Sequence, residues 1–179
     1  MFLNLILIAF LVTCSTTDLL FRKAYNAVTY PIIFSGIIFN TIFYGRMGLL
    51  DSLLGALLGL VLLIGFYLLG GLGAGDVKFM IAVGSLKGWN FTLFGGIYGA
   101  IIAGIAAIII MALKGTLLKS LKKVFHFFLF LFTLKTVVPV DKESTIYLPY
   151  CFFLSLGIFI RLAEVCGFFF WDLFIHRTG

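Results

Sequence analysis

Residues 52–76 read SLLGALLGLVLLIGFYLLGGLGAGD: an uncharged apolar run, then a glycine-rich turn, then an aspartate. A helix rises about 1.5 Å per residue and the hydrocarbon core of a bilayer is about 30 Å thick, so a run of this length predicts a membrane span. The same pattern extends outward in both directions. Further apolar runs cover Phe2 to Thr17, Ala27 to Tyr44, Val77 to Val83 with a short continuation, Phe91 to Leu113, and Tyr147 to Phe170. With Ser52 to Leu69 they predict an all-α fold: a polytopic membrane helix bundle of about six transmembrane helices. Of the 179 residues 63% are hydrophobic and 11% charged, and the mean hydropathy is +1.21. Such a composition leaves nothing for a separate soluble domain, so residues 1–179 are expected to form a single membrane-embedded domain.

The Val77 run is the shortest. Gly84, Lys87 and Gly88 interrupt or close it, which predicts a tilted, broken or embedded segment. The stretch Val124 to Val138 is apolar but short, follows Lys122-Lys123 and contains Lys135. That pattern fits an amphipathic helix on the cytoplasmic surface better than another span. Gly55 and Gly59, like Gly95 and Gly99, are small residues four apart, a spacing that lets helix backbones approach closely.

The net charge of +6 does not indicate nucleic acid, because the basic residues cluster in short segments between apolar runs, where they set membrane topology. Placing the N-terminus outside puts Arg22, Lys23, Lys78, Lys114, Lys119, Lys122, Lys123, Lys135 and Lys142 inside, with Arg46, Lys87 and Arg177 outside. The expected location is the inner (cytoplasmic) membrane, multi-pass, with both termini non-cytoplasmic and the lipid bilayer as surroundings; oligomeric state is not readable from the sequence. Met1 to Thr17 lacks a basic leading segment and reads as a retained span. Cys14, Cys151 and Cys166 form no CxxC pair and read as packing residues. His126 and His176 have no second ligand nearby, so no metal and no cofactor are expected. Trp89 and Trp171 fall at span ends, where indoles favour the interface.

A charged group at a helix centre in lipid costs about 2.5–3.5 kcal/mol on insertion scales, so each acid needs a reason. Asp51 precedes an apolar run and reads as an N-cap or loop residue. Asp141 and Glu143 share a polar loop with Lys142, and Asp172 follows the last span. Glu164 lies three residues beyond Arg161, on the same helix face, where an ion pair is expected. Asp18 and Asp76 are left, both at the same predicted cytoplasmic boundary. Two neighbouring carboxylates can share one proton; the ionised one then serves as general base toward water while the protonated one polarises a carbonyl. From spacing alone, capping or loop aspartates, which are common at span ends, are the favoured explanation. The glycines of residues 70–75 suit either a flexible turn or a bare backbone along which a substrate strand could lie.

Gly73-Ala74-Gly75-Asp76-Val77-Lys78 resembles the GxGD signature of aspartyl membrane proteases, and its continuation through Phe79, Met80 and Gly84 is similar to the type IV prepilin peptidase family. Asp18 to Asn26 resembles that family's segment of an aspartate, an arginine four residues on (Arg22) and an asparagine eight residues on; Tyr25 stands where relatives usually carry proline. Leu148-Pro149-Tyr150 resembles the proline-containing start of the family's last span. The resemblance implies an aspartyl endopeptidase that cuts a short basic leader from prepilin-like membrane protein substrates at the cytoplasmic face. Asp18 and Asp76 would be the catalytic pair, Gly73 and Gly75 the room beside Asp76, and Asn26 a hydrogen-bonding support for Asp18. Lys78 would act on an aspartate or contact substrate, or else snorkel to the interface. Without CxxC pairs, the sequence resembles the compact, cleavage-only form found with tight-adherence (Tad/Flp) pilus systems. Two other classes compete: a small transporter or channel subunit, for which only Arg161 and Glu164 supply mid-span charge, and a non-catalytic pilus or secretion assembly factor, which leaves two same-side aspartates without a purpose.

Overall fold

In hydrocarbon, every backbone N–H and C=O must find its partner within the protein, and an α-helix achieves this inside one segment. The computed structural model describes residues 2–21, 26–68, 71–113, 115 and 149–175, with side chains as far as residue 167. Four helices account for nearly all of them: α1 (Phe2–Phe21), α2 (Asn26–Leu68), α3 (Ala74–Leu113) and α4 (Tyr150–Ile175). Each is long and apolar enough to cross a membrane, and no strand occurs among the described residues. The surface helix expected at Val124 to Val138, both histidines and most of the basic residues assigned to the inner side lie outside the described residues.

Among the described residues there are four continuous helices where about six were expected, two of them each made of two helical segments joined across a break. α2 has 43 residues and α3 has 40; a straight helix of that length would run about 60 Å, twice the hydrocarbon thickness. Neither is straight. α2 leaves helical geometry at Gly45 (φ 61°, ψ −142°) and α3 at Gly88 (φ 78°, ψ 178°), both in the positive-φ region that side chains disfavour. Asn40 and Ser52 flank Gly45, yet both donate to the Ser85 carbonyl, at 2.9 and 2.7 Å. The chain must fold back at Gly45 for both to reach one oxygen. Gly96 and Met80 likewise flank Gly88 and pack together. The expected loops are therefore replaced by single-residue hinges, with helix continuing on either side.

Asp51 corrects a second expectation. It lies within α2 rather than capping it, and its Oδ1 accepts the Trp89 N–H at 3.3 Å, so it caps the helix that restarts after the Gly88 hinge.

Lipid tails are as apolar as leucine, so close backbone approach and polar contacts hold such a bundle together better than burial of large side chains. The packing follows that rule. Gly55 meets the Gly84 backbone, Gly59 meets Met80, and Gly99 meets Leu154 and Gly157. Large side chains such as Phe34, Ile38, Val61 and Ile108 face outward, whereas Asn40, Ser52, Ser85, Thr92 and Ser155 are buried and bond to backbone carbonyls. Phe10 stacks on Phe79, centroids 5.3 Å apart, and Asn4 accepts a hydrogen bond from Lys87. α1 therefore runs antiparallel to the start of α3. It is also antiparallel to α4, since Asn4 reaches Cys166 at 3.6 Å and Asp18 reaches Phe152 at 3.4 Å. These two registers bring the end of α1 and the beginnings of α3 and α4 to one end of the bundle.

Candidate active site

Asp76 is the third residue of α3, and Gly73 immediately precedes the helix. The Gly73 carbonyl accepts the Asp76 N–H at 3.1 Å, while the Gly73 N–H donates back to Asp76 Oδ2 at 3.0 Å. This reciprocal cap fixes the carboxylate in the first turn, where the helix dipole favours negative charge. A Cβ at Gly73 would stand 3.4 Å from that oxygen, so glycine leaves bare backbone beside the acid. Gly75 lies one residue before the acid in the same turn.

Asp18 occupies the last turn of α1, the end where its own helix dipole disfavours a carboxylate. α4 compensates. Pro149 precedes that helix, and its carbonyl accepts the Phe153 N–H at 3.4 Å. First-turn N–H groups of a helix have no partner within it, and one of them, Phe152 N–H, donates to Asp18 Oδ2 at 3.4 Å. Each aspartate thus meets the positive end of a helix: Asp76 its own, Asp18 that of α4.

The two carboxylates meet. An oxygen of Asp18, an oxygen of Asp76 and the sulfur of Cys151 all lie within 4.8 Å of one another, and the three residues are 5%, 8% and 1% exposed. Cys151 faces Asp76 with both its thiol and its backbone N–H. Two negative charges this close and this sheltered repel strongly, so the site favours either a proton shared between them or a cation held by them. The first arrangement is acid–base chemistry on a bound water. The second is equally open to these donors, since one divalent ion could touch two hard oxygens and a softer sulfur.

The other expected site residues form a flank. Lys78 Nζ donates to Asn26 Oδ1 at 2.8 Å and lies 5.2 Å from the centre of the Tyr30 ring. Lys78 and Asn26 thereby tie the start of α2 to the first turns of α3. Arg22, Lys23 and Tyr25 fall outside the described residues. Away from the dyad, Arg161 and Glu164 form the expected ion pair at 2.8 Å; Tyr98 Oη donates to Glu164 at 3.3 Å and Arg161 donates to Asn90 at 3.4 Å.

Sequence reasoning missed Cys151 and the Phe152 N–H. A cysteine in an apolar helix carries no sign of what it faces. The available signal was Pro149: a helix start exposes N–H groups, and a nearby acid is their natural acceptor.

The family model of the type IV leader peptidases matches residues 5–112, more than half of the chain, taking in both aspartates and stopping short of α4. No curated protein and no solved structure matches the chain. With more than half of its length matched, both buried aspartates included, the chain belongs to the type IV leader peptidase family.

Proposed function

We propose that this protein is an aspartyl endopeptidase that removes the leader from type IV prepilin-like precursors of the Flp/Tad type, at the cytoplasmic face of the inner membrane. The observation that carries the reading is the approach of Asp18 and Asp76, from two different helices, to within 4.8 Å. Family membership supports leader cleavage, and the count of basic residues on the two predicted sides supports the cytoplasmic face.

In the proposed reaction one carboxyl is ionised and the other protonated, with a water between them. The ionised group takes a proton from the water as its oxygen attacks the scissile carbonyl, and the protonated group donates a hydrogen bond to the carbonyl oxygen. The tetrahedral intermediate collapses as the amide nitrogen takes a proton from a carboxyl. The C–N bond breaks, one water has been consumed, and the dyad returns to a single proton. The shared proton makes the aspartates interchangeable over the cycle. Gly73 and Gly75 leave room for the substrate backbone beside Asp76, and the precursor's apolar helix lies laterally against the bundle.

The test is co-expression with a pilin-like precursor, followed by its electrophoretic mobility. Asp18→Asn and Asp76→Asn, made separately, each abolish cleavage while the protein still inserts in the membrane. Normal cleavage by either variant removes the dyad from the mechanism. Cleavage by the purified protein persists in a chelator; its loss and recovery on adding back a divalent cation would instead favour the metal-holding use of Asp18, Asp76 and Cys151.

A further inference from the structure

The segment that supplies Cys151 and Phe152 lies outside residues 5–112, the part of the chain matched by the family. It nevertheless touches both aspartates. Phe152 N–H donates to Asp18 at 3.4 Å, and the Cys151 sulfur lies within 4.8 Å of an oxygen of each aspartate, with the Cys151 N–H turned toward Asp76. Cys151 is 1% exposed and neighbours another buried thiol, Cys14, one turn before Asp18. Its buried setting shields it from modification from outside. Its immediate polar surroundings are the two carboxylates, and a thiol carries one weak donor proton.

We propose that Cys151 is a positioning residue of the active centre: its S–H hydrogen-bonds the Asp76 carboxylate and holds it toward Asp18, so that α4 completes a site whose aspartates come from α1 and α3. The inference rests on the peptidase reading for its kinetic consequence but not for the contact itself. The two aspartates are thereby made unequal. Asp76 receives the thiol and the N–H groups of Gly73 and Cys151, whereas Asp18 receives Phe152 N–H. Backbone donors survive any side-chain change, so Cys151 is the part of this scaffold that mutation can remove cleanly.

Two measurements test it on the full chain in detergent. Kinetics with a pilin-like precursor compare Cys151→Ala, which deletes the donor, with Cys151→Ser, which keeps one. Loss of a hydrogen bond to a charged group lowers kcat roughly tenfold in Cys151→Ala with KM within about twofold, and Cys151→Ser recovers most of it. Infrared spectroscopy reads the contact without activity. The S–H stretching band that vanishes in Cys151→Ala shifts to higher frequency in Asp76→Asn, where the acceptor is neutral. Equal kcat for the alanine and serine variants, with an unshifted S–H band, overturns the inference. A shifted band in a wild-type protein that cleaves no precursor upholds the contact and overturns the peptidase reading instead.

Discussion

At the scale of single residues, Gly88 shows how one position can serve two constraints. Its φ of 78° disfavours a side chain, and a Cβ there would collide with the Asp51 carboxylate that caps the following helix. Gly45 has a similar φ of 61° but open space around its missing Cβ. Gly45→Ala should therefore cost only backbone strain, about 1–3 kcal/mol, while Gly88→Ala adds the collision and costs more. Denaturant titrations in detergent, with Asp51→Ala as the second arm of a double-mutant cycle, should show coupling for Gly88 and none for Gly45; equal losses at the two glycines would contradict this account. Asp18 and Asp76 were legible in the sequence because an acid at a membrane boundary demands a reason. Asp51 was only half legible: its capping chemistry could be foreseen, but its partner across the bundle could not, because that partner depends on a fold-back at Gly45.

At the scale of elements, the helices could be read from apolar run length, and the hinges could not. A loop announces itself by several polar residues, whereas Gly45 and Gly88 each turn the chain with one residue and let helix resume at once. The glycines that join α2 to α3 were visible as a four-residue spacing, but which helix each one meets is a matter of register. Gly84 and Gly55 oppose each other so closely that a Cβ on Gly84 would strike the Gly55 backbone. Gly84→Ala must separate the two helices, at about 1–3 kcal/mol for an overpacked contact, and it shifts the helix that carries Asp76 two turns away. Gly104 is in α3 with nothing near its missing Cβ. Gly84→Ala should lower both the unfolding free energy and kcat, and Gly104→Ala should change neither; a Gly84→Ala protein as stable and active as wild type would refute the close-packing explanation.

At the scale of the whole molecule, the part of α3 between Ala74 and the Gly88 hinge is about 20 Å long by helical rise, shorter than the roughly 30 Å of hydrocarbon. Asp76 at one end and Gly88 at the other therefore cannot both reach the membrane surfaces. The same short rod separates two ends that the proposed topology puts on opposite sides: Gly71 and Asp76 at one, Arg46, Asp51 and Trp89 at the other. In the proposed topology, the excess of positive residues puts the Gly71 end on the cytoplasmic side. Gly71 and Arg46 are both exposed, so Gly71→Cys and Arg46→Cys report the two sides. A membrane-impermeant maleimide added to intact cells should label Arg46→Cys and should reach Gly71→Cys only after permeabilisation. The three native thiols serve as the background, two of them buried and one partly so. Reversed labelling would move the dyad to the outer face, where a leader still on the cytoplasmic side could not reach it; the pairing of Asp18 with Asp76 would stand, and the proposed substrate would not.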